Sequence, residues 1–179
     1  MSESETSRPE LDRPEFSRIA DTRQIDAAPV HLAASEEECA GLARRFDLVA
    51  VKRLEATLAL DKDGTAIRAT GTLSADIVQS CAISGEDLPV LIREPLSFRF
   101  VPAGQYQPDE ELELEADELD EIEFTGTSFD LGEAVAQSLV LAIDPFAEGP
   151  DAERVRREVL KNAGEAGPFA ALAALKKSD

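Results

Sequence analysis

The chain has 179 residues, 43% of them hydrophobic and 5% aromatic, with two Cys, one His and no Trp, and its 37 acidic and 18 basic side chains leave a net charge of −19. That length suits one mostly aliphatic core, and the charge argues against DNA and against broad contact with any phosphate backbone, which needs clustered Lys and Arg. Two Cys make no disulfide framework, no apolar run nears the roughly 20 residues of a bilayer span, and the polar start Met-Ser-Glu-Ser-Glu-Thr carries no secretory pattern, so the sequence reads as a cytoplasmic protein without membrane contact.

Residues 1–14 are polar and charged and predict a disordered tail, ahead of a single domain over 15–179. Short alternations at Phe16–Ile19 and Ala28–Leu32 predict strands. Ser35-Glu-Glu-Glu38 is a capping box, in which the Ser hydroxyl accepts the N3 amide and Glu38 reaches back. Cys39, Leu42, Ala43 and Phe46 then share one helical face, and Arg44-Arg45 suit the negative end of the dipole, so a helix is expected over Glu36–Phe46.

Three long strands follow. Even positions are apolar from Leu48 to Leu60 apart from Lys52, odd positions from Thr65 to Cys81, and even positions again from Leu88 to Phe100. Period-2 alternation of this kind describes antiparallel strands with one wet face. Asp61-Lys-Asp-Gly64 and Ser84-Gly85 are the turns between them. Asp109 to Glu123 then holds ten Asp or Glu and no Lys or Arg, an acidic insert expected to stay extended or loosely ordered, with Ile122-Glu-Phe124 as a short edge strand after it.

Asp130-Leu-Gly-Glu133 is a second capping box, opening a helix that carries Leu131, Ala134, Val135, Leu139 and Ala142 at helical spacing and closes at Pro145. A C-terminal helical segment over 151–177 divides into a helix capped by Asp151, with Val155, Val159 and Leu160 inward and Gly164 as stop, and a short helix from Pro168. The fold class is α+β: a curled antiparallel β-meander of long strands covered on one side by a few helices.

Catalytic and metal chemistry find little support. Cys81 sits at a strand end before a turn, where a nucleophile or ligand could stand, but its parity places it with Leu73 and Ile77 as a core thiol. Two Cys and one His fall short of the four ligands of a zinc site, a Ser–His–Asp set is not visible, and no Gly-rich phosphate loop appears, so no cofactor and no enzyme activity is expected. Gln79, Glu94 and Lys52 break the parity of the buried faces, each as a bulge or as a polar contact for a partner. Arg93 and Arg99, with Arg68, alternate with Ser97 on the opposite face, the one sheet patch with a basic tendency, either an ordinary solvated face or a partner contact. The acidic insert suits a different partner, a basic protein such as a ribosomal protein.

The order of these segments resembles the YceD-like family, the large ribosomal RNA subunit accumulation proteins. The stretches that carry the resemblance are Pro14-Glu-Phe-Ser-Arg18, Leu42-Ala-Arg-Arg-Phe-Asp47, Val78-Gln-Ser-Cys-Ala-Ile-Ser84, Ile92-Arg-Glu-Pro-Leu-Ser-Phe-Arg-Phe100, Asp130-Leu-Gly-Glu133 on to Ile143-Asp-Pro145, and Pro168-Phe-Ala-Ala-Leu172. The resemblance implies a bacterial, cytoplasmic, non-enzymatic factor in large ribosomal subunit biogenesis, acting on ribosomal RNA or an assembly intermediate. It marks Gln79, Cys81, Arg93, Glu94, Arg99, Asp130 and Glu133 as motif or partner-binding candidates. Many relatives place a second Cys three residues after the first; Ser84 stands there in this chain.

Overall fold

The computed structural model describes residues 14–104 and 120–166. The tail over 1–13, the insert up to residue 119 and the helix expected from Pro168 lie outside the described residues. Elements run β1 (Ile19–Asp21), β2 (Val30–Ala33), α1 (Glu36–Arg45), β3 (Ala50–Asp63), β4 (Ala66–Ser80), β5 (Asp87–Pro102), β6 (Asp120–Phe124), β7 (Ser128–Asp130), α2 (Leu131–Leu141) and α3 (Ala152–Ala166). Five strands form one sheet in the order β2-β3-β4-β5-β6, and β1 pairs with β7 in a separate two-stranded ribbon. The class is α+β, as the alternation and the caps predict.

The meander is the centre of the sheet. Strands β3, β4 and β5 pair antiparallel along almost their full length, with Leu58 opposite Gly71 and Gly71 opposite Leu96. Their inward side chains alternate as the sequence does. Leu54, Ala56, Leu58 and Leu60 of β3, Ala69, Leu73, Ala75 and Ile77 of β4, and Ile92, Leu96, Phe98 and Phe100 of β5 are buried. Each large aliphatic buried here contributes roughly 1.5–3 kcal/mol. Helices α1 and α2 cover that face, and Leu42, Leu131, Val135 and Leu139 complete the core. The capping box forms as predicted, Ser35 accepting from the Glu38 amide while Glu38 accepts from the Ser35 amide.

The three breaks in parity have different causes. At Lys52 the β3–β4 register shifts between Val51 and Arg53, so Lys52 is the extra residue of a bulge; Val51 and Leu54 both face inward, and Lys52 stays exposed. The other two are not bulges. Gln79 pairs with Leu88 and Glu94 with Leu73 in an unbroken β4–β5 register. Gln79 is buried and satisfied by a main-chain carbonyl, whereas Glu94 is exposed at the margin of the sheet.

Strand β6 is present where Ile122-Glu-Phe124 predicts one, but it runs parallel to β5, pairing only with Phe98–Pro102. Among the described residues, β5 therefore has an open edge before Phe98. Pro89 and Pro95 share one parity in β5 and carry no amide, and proline in a sheet is largely confined to edge strands and bulges.

The N-terminal alternations yield strands displaced by a few residues, at β1 and β2. Helix α3 corrects the sequence reading in two respects. It continues through Gly164 to Ala166, since a single Gly costs a helix only about 1 kcal/mol. Val159 and Leu160 are 59% and 66% exposed rather than inward. Ala152 is buried and Val155 half-buried, so the apolar stripe starts against the body and then runs past it.

Candidate functional site

Asp130, Glu133 and the N-terminal arm meet at the start of α2. Asp130 is the N-cap, its Oδ1 accepting from the amides of Gly132 and Glu133. The same carboxylate accepts from the Arg18 amide at 2.8 Å and, through Oδ2, from the Ser17 hydroxyl at 2.6 Å. The reciprocal half of the expected capping box is absent. Glu133 turns outward instead and takes a bidentate pair from Arg45 at 2.6 and 2.8 Å, which also reaches Glu15. Arg45 is thus the better partner, because a charged bidentate bond outcompetes a neutral amide. Its presence holds the Glu133 carboxyl below its ordinary range.

Arg18 extends this cluster to α1, donating to both Glu38 oxygens at 2.6 and 2.9 Å and to the Ala33 carbonyl. The Arg18 guanidinium is the main reason that Glu38 titrates low, at about 2 against an ordinary 4.5. A depressed carboxyl contributes stability above the unfolded-state value and loses it as pH falls toward the folded value. The contribution of this pair is therefore complete above about pH 5 and fades between there and pH 2. The parent should lose about 1 kcal/mol more than Glu38→Gln between pH 6 and pH 3, a modest figure because both partners are partly exposed. Urea midpoints at the two pH values would measure it, and equal losses would refute it. This cluster is a clasp that joins the arm, α1 and α2.

Gln79 and Cys81 meet at the end of β4. The Gln79 amide donates to the Asp144 carbonyl at 2.8 Å, satisfying a side chain that is 6% exposed. Cys81 is buried, as its parity predicts, and its Sγ accepts from the amides of Ser84 and Gly149, each at 3.3 Å. The Ser84 hydroxyl, then those amides, lower the thiol to about 7. The Ala82 amide adds a bond to the Ala147 carbonyl. The two candidates thus act together, fixing the α2–α3 loop over 144–149 to the β4–β5 turn. The sequence carries no local signal for this, since the partners lie more than 60 positions apart. Among the described residues no group of three His, Cys, Asp or Glu side chains is placed to hold a metal.

The arginines stand on the outer face of the sheet, away from the helices. Arg68 lies opposite Arg99, while Arg93 lies opposite Ser74, about 20 Å further along the strands at the usual rise. Their charges are unequal in availability. Arg99 contacts Asp63 at 3.6 Å and Glu121 at 2.7 Å, and Arg68 contacts the same Asp63 carboxylate. Arg53, which the sequence reading passes over, joins Glu55 and Asp76. Arg93 makes no ion pair among the described residues. It lines a shallow trough with Arg53, Glu55, Thr72, Ser74 and Pro95, and its field helps Arg53 to hold Asp76 low. Glu94 borders this trough and a second groove formed with Leu96, Ser138 and Leu141. The face is mixed in sign, suited to a local contact at Arg93 rather than to tracking a phosphate chain.

Compared with known proteins, residues 69–176 match the family model described as large ribosomal RNA subunit accumulation protein YceD. No curated protein and no solved structure matches the chain.

Proposed function

We propose that this chain, which belongs to the YceD family, supports accumulation of large-subunit ribosomal RNA by binding an assembly intermediate directly, without catalysing a reaction. The family match is the observation that carries this reading. The electrostatics refine it: at −19 overall, the protein meets RNA at one place at most, and Arg93 is the sheet arginine whose charge is not already neutralised by a carboxylate among the described residues. Its rigid, mid-strand setting beside the Ser74 and Thr72 hydroxyls suits a single phosphate or a single acidic side chain of the intermediate.

Sedimentation of a lysate through a sucrose gradient at low and moderate salt tests the reading. Co-migration with large-subunit precursors that weakens as salt rises is the expected result, and Arg93→Glu should shift most of the protein to the top of the gradient. Arg93 is the clean position for charge reversal, because a Glu at position 99 would face Asp63 and Glu121 and disturb the fold as well. Migration at the top alone, whatever the salt, would refute direct binding. Migration at the top with a small basic protein would replace it by the other reading, an acidic escort for a basic ribosomal protein, which the ten carboxylates of Asp109–Glu123 favour.

A further inference from the structure

The β4–β5 turn and the α2–α3 loop form one end of the molecule, and its surface is unlike the rest. Nine large hydrophobic residues are exposed among those described, and four of them sit here or on the last turn of α2: Ile83, Val140, Leu141 and Phe146. Phe146 is the most informative. It is 78% exposed, while Phe16, Phe98, Phe100, Phe124 and Phe129 are buried in the core. Yet its loop is not slack. Gln79 holds the Asp144 carbonyl, Asp144 Oδ1 accepts from the Phe146 amide at 2.9 Å, Ala82 holds the Ala147 carbonyl, and Cys81 holds the Gly149 amide. A loop whose main chain is so well fixed has lost its backbone ordering entropy in advance, which lowers the cost of using an exposed side chain as an anchor.

The charges beside it select the partner. Glu86, Asp87, Asp144, Glu148 and Asp151 all belong to this turn and loop. Glu148 is paired with Arg156 and Asp151 with Arg154. Glu86, Asp87 and Asp144 have no cationic partner among the described residues, so their charge is open to a cation from outside.

We propose that this end of the protein is a docking surface for a basic protein segment that carries a bulky apolar side chain, with Phe146 as the anchor and Glu86, Asp87 and Asp144 as the acidic rim. The surface deepens the reading given above, since it makes a protein component of the assembly intermediate the partner. It does not depend on Arg93, which lies on the outer sheet face, so the two can fail separately.

The test uses the full chain and a labelled 14-residue amphipathic peptide of Leu and Lys, followed by fluorescence anisotropy, with an oligolysine of equal charge and an RNA oligomer of equal length as controls. Phe146→Ala should weaken the amphipathic peptide about thirtyfold, as loss of an anchor does, and Asp144→Asn combined with Asp87→Asn should weaken it further. Oligolysine should bind weakly, and equally to parent and Phe146→Ala. Phe146 is exposed, so its replacement leaves the core intact, and an unchanged thermal midpoint would confirm that. Equal binding of the amphipathic peptide by parent and Phe146→Ala would overturn the proposal, as the attraction would then be net charge alone. Preferential binding of the RNA, lost in the same variant, would overturn it too. A gain in peptide binding on removal of residues 167–179 would show that this chain's own terminus occupies the surface, and would likewise overturn it.

Discussion

Phe16→Ala is expected to lower the unfolding free energy by about 3–5 kcal/mol, the range for removing a fully buried aromatic ring. Phe16 is completely buried although it precedes the first strand, and the Arg18 guanidinium covers its ring at 4.6 Å. The ring is held in place by the arm that follows it. Ser17 and the Arg18 amide bond to Asp130, the Leu131 amide returns a bond to the Arg18 carbonyl, and Gly132 leaves space for the arm to press close, since a Cβ there would lie 2.6 Å from the Phe16 carbonyl oxygen. Removing the ring therefore leaves a cavity beneath α2 that a clasped backbone cannot collapse to fill. Urea unfolding of parent and variant measures the loss. A loss below about 1 kcal/mol would mean that the arm rests on the domain instead of completing it. The outcome also bears on the extent of the domain. The matched region begins at residue 69, but the energetic core begins at Phe16, because the sheet face that residues after 69 present is covered by α1 and by this ring.

How far the sequence speaks depends on how local the cause is. The alternation of β4 is visible because one face meets water and the other meets α2, and both caps are visible because a cap acts within three residues. Lys52 is readable as a bulge for the same reason: one polar residue in an apolar register leaves a short list of remedies. Contacts between distant segments are different. Nothing near Gln79 says that its amide will find Asp144, and the same parity break at Glu94 ends in solvent. Arg93 and Arg99 look alike in the strand pattern, but Asp63 and Glu121 arrive beside only one of them, by way of a hairpin and a parallel strand that follows the insert. Helix α3 shows the limit from the other side. Its pattern reports a stripe that would be stabilised by cover, and the described structure leaves Val159 and Leu160 without it.

Gly71→Ala is expected to cost more than about 3 kcal/mol, beyond the usual 1–3 kcal/mol for overpacking. Gly71 sits in the middle of β4, between Leu58 of β3 and Leu96 of β5. A Cβ built there would lie 1.9 Å from the Thr57 carbonyl oxygen, 2.9 Å from its carbon and 3.0 Å from the Leu58 Cα. All three are backbone atoms, so no rotamer change can make room, and β3 and β4 would have to part beside Leu58 and Leu73. The glycine is there to permit this close approach, a role that Gly in a strand interior often serves. Gly85 supplies the control. Its φ of +74° is unfavourable for Ala, but nothing lies within 4 Å of the added carbon, so Gly85→Ala should cost only the 1–2 kcal/mol or so of a left-handed residue. Chemical denaturation of both variants decides between steric and conformational explanations. If Gly71→Ala were no more damaging than Gly85→Ala, β3 and β4 would have to separate more freely than their pairing implies. The outer face that carries Arg53 and Arg93 would then be a deformable surface, and the rigid placement argued for Arg93 would fail with it.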